Sequence, residues 1–130
     1  MSERELALRA EIMRAFAATG EPPPVEDETT IRSLADRHVV ALDDAGHILM
    51  AHPFADHREG TRVTSGARTW WGSCAWDGLG IVAALGLMDA ELSSGGVTIK
   101  VHDGRVVDQG GSVFHVLVPA REWWDDIVHT

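Results

Sequence analysis

Between Glu3 and Thr19 the apolar residues Leu6, Ile12, Met13 and Phe16 recur near the helical period with Arg4, Glu5 and Arg9 among the polar positions, and Gly20 ends the pattern. This predicts a first amphipathic helix. Pro22-Pro23-Pro24, followed by Glu26, Asp27 and Glu28, forms a stiff acidic connector, because successive prolines hold the backbone extended and remove donors. A short helix from about Thr30 to Arg37 follows. His38–Leu42 and His47–Ala51 read as paired strands across the Asp43-Asp44-Ala45-Gly46 turn, and Pro53 to Gly60 reads as a polar loop.

Arg62-Val63-Thr64 and Ala67–Trp71 flank Ser65-Gly66 as a second hairpin, which leads directly to Trp70-Trp71-Gly72-Ser73-Cys74-Ala75-Trp76-Asp77. From Asp77 onward Leu79, Ile81, Val82, Leu85 and Met88 carry a helical pattern. It is interrupted by glycines at 78, 80 and 86, each of which weakens a helix by up to about 1 kcal/mol relative to alanine. Small residues at such a cost imply close packing. Three strands are predicted after Glu91, at 97–101, 105–107 and 113–118, with Asp103-Gly104 and Gln109-Gly110-Gly111 as turns. Pro119 opens a short Trp-rich helical turn over 122–127. The expected architecture is α+β: a reduced helical part over 1–52, whose two helices and hairpin resemble a winged helix, and a core over 53–130 in which a mixed, mainly antiparallel sheet carries packed helices.

A length of 130 residues suits one domain, and 45% hydrophobic with 24% charged residues is ordinary globular usage. The net charge of −9 opposes binding to phosphate backbones, and Asp36, Asp43 and Asp44 crowd the first hairpin against only Arg32 and Arg37, so a nucleic-acid partner is not expected. There is no apolar stretch of about 18 residues, which argues against a membrane span. The start, Ser2-Glu3-Arg4-Glu5, leads into an amphipathic segment rather than a signal-type apolar core. With one cysteine no internal disulfide can form. A reducing cytoplasm is the expected setting.

Cys74 is that single cysteine, and Asp77 follows three residues later at the start of the helical pattern. A thiol reacts as thiolate, and a helix amino terminus favours that anion through its unpaired N–H groups and dipole. The plainer alternative makes Asp77 the N-cap and Cys74 a small buried hydrophobe. The seven histidines, His38, His47, His52, His57, His102, His115 and His129, show no zinc-site spacing. Among them His52, beside Pro53, and His115, on a predicted core strand, draw interest, with a structural role as the simpler reading. The five tryptophans read as core and pocket walls. No serine-hydrolase elbow, phosphate loop or dinucleotide fingerprint is present.

Taken in order, Ala51-His52-Pro53-Phe54, Arg62-Val63, the Trp70–Ile81 run, Val113–Ala120 and Trp123–Ile127 resemble the organomercurial (alkylmercury) lyase family from about Arg37 onward. The resemblance implies a mercury-binding thiolate at Cys74 and a proton-transferring carboxylate at Asp77, with Trp71, Trp76, Phe54 and His52 around the substrate. The family reaction protonates carbon while soft thiolates hold the metal. The family pattern also has a second cysteine, which would fall just after Thr130, and many relatives have a further pair where this chain has Ser93-Ser94-Gly95-Gly96. With one protein thiol, the implied chemistry needs an external thiol or another residue as second ligand, the external thiol being favoured, and no resident cofactor. The substrate is a small molecule containing mercury, and a thiol or a mercuric reductase is the implied acceptor. Two other readings stay open: an enzyme of the same fold turned to acid-base or thiol chemistry on a small organic substrate, as in a biosynthetic pathway, and a non-catalytic module that binds thiols or soft metals.

Overall fold

The computed structural model describes residues 1–113 and 120–127. Helix α1 spans Glu3–Thr19. Ser2 caps it reciprocally with Glu5, and Gly20 closes it in the left-handed region at φ 76°, donating its N–H to Phe16 O at 2.7 Å. Ile12 and Phe16 face the core as expected, but Leu6 is exposed. The inward position on that first turn belongs to Glu5, whose carboxylate accepts from Ser33 and pairs with Arg37 at 3.3 Å.

Helix α2 spans Glu28–Asp36 and starts earlier than the apolar pattern suggests. The reason is Asp27, whose Oδ1 accepts the Thr30 N–H at 3.0 Å while Oδ2 accepts the Thr30 hydroxyl at 2.7 Å. The strand expected from His38 is correspondingly shorter. His38 and Val39 donate their N–H groups back to Ala35 O and Leu34 O, and His38 turns the chain at φ 58°. Only Ala41–Leu42 (β1) remains to pair with Ile48–Ala51 (β2). A third strand, Phe54–Ala55 (β3), occupies part of the expected polar loop and pairs back on β2, Ala51 opposite Phe54 and Met50 opposite Ala55. His52 and Pro53 form the connecting turn. Two buried residues ahead of Asp56-His57-Arg58-Glu59 are too few for a periodic signal.

The second sheet has five strands in the order β5-β4-β6-β7-β8, every pairing antiparallel. They are Thr61–Ser65 (β4), Arg68–Gly72 (β5), Ala90–Ser94 (β6), Val97–His102 (β7) and Arg105–Asp108 (β8). Strand β6 was not among the expected three, although buried Ala90 and Leu92 alternate with exposed Glu91. Of the strand expected over 113–118, only Val113 lies within the described residues, and there it is outside any strand. Ala120–Asp125 forms a 3-10 turn.

Helix α3, Ala75–Leu85, packs on β4, β5 and β6. The glycine cost is offset by proximity: a Cβ at Gly78 would lie 2.8 Å from both Leu92 Cδ2 and Thr61 Cγ2, and one at Gly80 would lie 3.2 Å from Pro53 Cβ. Met88, expected on the helix, lies beyond it and is exposed. The core joins both sheets to α1. Phe16 stacks on Phe54 with centroids 5.4 Å apart, and the buried Trp70 indole donates to Ala17 O at 3.0 Å. Burying each such aromatic side chain contributes roughly 1.5–3 kcal/mol. No helix among the described residues is long and apolar enough to cross a membrane. The architecture is α+β, and the described residues form two antiparallel sheets and three α-helices.

Candidate active site at the start of helix α3

Strand β5 ends at Gly72 and the chain reaches α3 in two residues. Cys74, extended at φ −149°, occupies the N-cap, its carbonyl accepting the Gly78 N–H at 2.9 Å. Asp77 is therefore the third residue of the helix, not its cap. Cys74 is exposed rather than a buried hydrophobe, so the plainer reading fails on both counts. An acidic group in the first turn suits the positive end of the helix dipole.

The thiol's acidity runs against the expectation for a helix terminus. Although the sulfur is accessible, partial desolvation raises the Cys74 pKa above its ordinary value. The N–H of Asp77 pulls the other way, then the Asp77 charge adds to the rise, the Trp76 N–H opposes it, and the Asp77 side chain, by hydrogen bonding to the thiol, raises it again. Repulsion from the carboxylate and loss of solvent together outweigh the helix dipole. At neutral pH the resting sulfur carries its proton.

Asp77 is itself largely shielded, at 16% side-chain exposure, and its Oδ2 lies 3.4 Å from His52 Nδ1. His52 stands on the β2–β3 turn. Its ring meets Trp124 edge-on at 5.9 Å, and Trp124 in turn stacks on His38 at 4.4 Å. Trp124 and Ile127 also pack on Ala41, Met50 and Ala55, which brings the C-terminal 3-10 turn to the small sheet. A cleft of about 230 Å³ opens beside this group, lined by Arg9, Met13, His38, Val40, Ala51 and His52. A second, more apolar cleft of about 510 Å³ is lined by Ala75 and Leu79 of α3 with Val97, Ile99 and Val106 among others.

The backbone just before the thiol is held from below. Ser73 donates its hydroxyl to Met50 Sδ at 3.3 Å, and His57 Nε2 lies 3.2 Å from the same oxygen. His57 Nδ1 is buried without a hydrogen-bond partner among the described residues. A Cβ on Gly60 would come within 2.1 Å of Gly72 O and 2.8 Å of Ser73 O, so only glycine lets this loop lie against the strand end.

Of the residues expected around the substrate, His52 is brought to Asp77. Phe54 is taken into the core against Phe16, Trp71 is half-buried on β5 opposite Arg62, and Trp76 projects from α3 with 67% exposure. His38, His57 and Ser73 join the surroundings without a signal in the sequence, since they come from a helix end, a loop and a strand end with no shared spacing. His115 and His129 lie outside the described residues. Among the described residues no group of three or more His, Cys, Asp or Glu side chains could hold a metal ion.

No curated protein matches the chain. A solved structure, the crystal structure of the mercury-bound form of MerB2, shares the fold with a TM-score of 0.65 at 17% identity, over 83% of this chain. The chain spans 60% of that protein's length. The model of the alkylmercury lyase (MerB) family matches residues 54–130, which include β3, both strands leading to Cys74, all of α3 and the remaining sheet. With that match over more than half its length, the chain belongs to the alkylmercury lyase family.

Proposed function

We propose that the protein cleaves carbon–mercury bonds by protonolysis, with Cys74 as the mercury-binding sulfur and Asp77 as the group that carries the proton. The observation that supports this most is a single accessible thiol, protonated at rest, with a shielded carboxylate beside it at the head of one helix. Such a pair holds both things the reaction needs, a soft ligand for the metal and a proton for the carbon.

The substrate is an organomercurial held as its adduct with a small thiol. The Cys74 sulfur attacks mercury as its proton passes to the Asp77 carboxylate, leaving mercury bound to carbon and two sulfurs. Asp77 then returns that proton to carbon as the mercury–carbon bond breaks. The electron pair of that bond becomes the new carbon–hydrogen bond, the hydrocarbon departs, and mercury stays between Cys74 and the external sulfur. A second small thiol protonates and displaces Cys74, releasing a dithiolate of mercury and restoring the resting enzyme. The external thiol thus does the work of a second protein cysteine, and a reducing, thiol-rich cytoplasm supplies it. No resident cofactor is required, and a mercuric reductase is a suitable acceptor for the product.

The test is release of hydrocarbon from an organomercurial in the presence of excess monothiol. Wild-type protein is expected to turn over, and Cys74→Ser or Asp77→Asn to reduce the rate by at least about a hundredfold, the lower end of what a positioned proton-transfer group contributes. Absence of hydrocarbon from the wild type sinks the proposal.

A further inference from the structure

Asp77 does not face the thiol alone. Its Oδ2 lies 3.4 Å from Nδ1 of His52, a residue held at a two-residue turn whose flanking strands are hydrogen-bonded to each other. Trp124 stands edge-on to the imidazole and is itself stacked on His38, so the His52 ring has an aromatic contact as well as the carboxylate. Arg9 and His38 are the other ionisable groups on the cleft that His52 borders, the first from α1 and the second from the end of α2. Neither is paired with Asp77 in the structure, whereas His52 is.

From this geometry we infer that His52 is a positioning residue for Asp77. It engages one carboxylate oxygen, leaves the other for the Cys74 thiol, and draws carboxylate charge away from the sulfur. The inference rests on the reading that Cys74 and Asp77 act as a pair, and it gives His52 the role of setting that pair's geometry and charge. Loss of the Nδ1 contact leaves Asp77 free to turn and puts its charge against the thiol, which makes thiolate harder to form.

Cys74 is the only cysteine, so its alkylation by iodoacetamide reports on this site without any mercury substrate. His52→Phe keeps a ring against Trp124 and removes the ring nitrogen that faces Asp77. At pH 7 it is expected to slow alkylation by about two- to fivefold, the scale of a partly exposed ion pair, and to leave the rate unchanged when introduced into Asp77→Asn. His52→Ala should be slowed similarly and partly restored by added imidazole, for which the adjoining cleft provides access. In the lyase assay the same variants should lower kcat with KM little changed.

Equal slowing in the Asp77→Asn background, no slowing in the wild-type background, or failure of imidazole to restore the alanine variant would each overturn the role of His52. These outcomes are separate from the fate of the proposed reaction. A wild type that releases no hydrocarbon sinks the lyase reading, while the alkylation series still decides whether His52 acts on Cys74 through Asp77.

Discussion

Asp77 has two opposing effects on Cys74, and Asp77→Asn separates them. The carboxylate raises the thiol's pKa by its charge and by accepting a hydrogen bond from the thiol, after the larger effect of desolvation. Removing the charge therefore favours thiolate, and alkylation of Cys74 at neutral pH should become about two- to fivefold faster, although cleavage of the carbon–mercury bond is lost. A profile of alkylation rate against pH checks this: its midpoint should move down. The same residue pair marks the limit of reading a site from local spacing. Cysteine and aspartate three apart were visible in the sequence as candidates, and the family resemblance gave them roles. The balance of desolvation against helix dipole was not visible, because it depends on how closely β5, the Gly60 loop and the β2–β3 turn approach the first turn of α3. His52 shows the other side. It could be marked from its place beside Pro53, but its partner lies 25 positions away along the chain and is set by the strand pairing of Ala51 with Phe54.

Helices α1 and α2 are joined at a charged residue rather than through a wholly apolar seam. Glu5 is held down to a pKa of about 2, first by the Ser33 hydroxyl, then by the Ser2 N–H, with burial opposing and Arg37 assisting. Its folded pKa lies below the ordinary value of 4.5, so its contribution to stability is fully present above that value and is lost as pH falls from there through about 2. Acid unfolding followed by circular dichroism should show Glu5→Gln less stable than wild type at neutral pH, with the gap closing across this window. A gap that stays constant would mean that the carboxylate's charge does not stabilise the pairing. Strand and helix limits follow the same logic of specific side chains overruling periodicity. Asp27 starts α2 early, back-bonding by His38 and Val39 shortens β1, and β3 and β6 escape notice because short or partly polar strands carry little pattern. In α3 the glycines signalled close packing in the sequence, and Gly78 meets it between Thr61 and Leu92, both buried. Gly78→Ala gains up to about 1 kcal/mol of helix propensity but inserts a methyl at 2.8 Å from each neighbour. With overpacking costing about 1–3 kcal/mol, a net loss of about 1 kcal/mol is expected in denaturant unfolding.

At the scale of the whole molecule, both sheets converge on α3: β3 and β5 contact each other, and both contact the helix that carries Cys74 and Asp77. The α+β class could be expected from the element pattern, while the division of the described strands into a three-stranded and a five-stranded sheet could not, because it depends on which short strands pair. These 130 residues contain one sulfhydryl, and the kinetics of the proposed reaction follow from it. If the external thiol supplies the second sulfur and then displaces Cys74, that thiol enters both before carbon is protonated and at product release. Hydrocarbon release should therefore rise with monothiol concentration and level off. When the organomercurial is supplied as its one-to-one thiol adduct with no free thiol, release should stop at one hydrocarbon per chain, with one mercury retained on Cys74 by intact-mass measurement. Addition of monothiol should then free the metal and restart turnover. A chain that turns over repeatedly on the adduct alone would show that something other than an incoming thiol removes mercury from Cys74, and the proposed release step would have to be abandoned even with the roles of Cys74 and Asp77 intact.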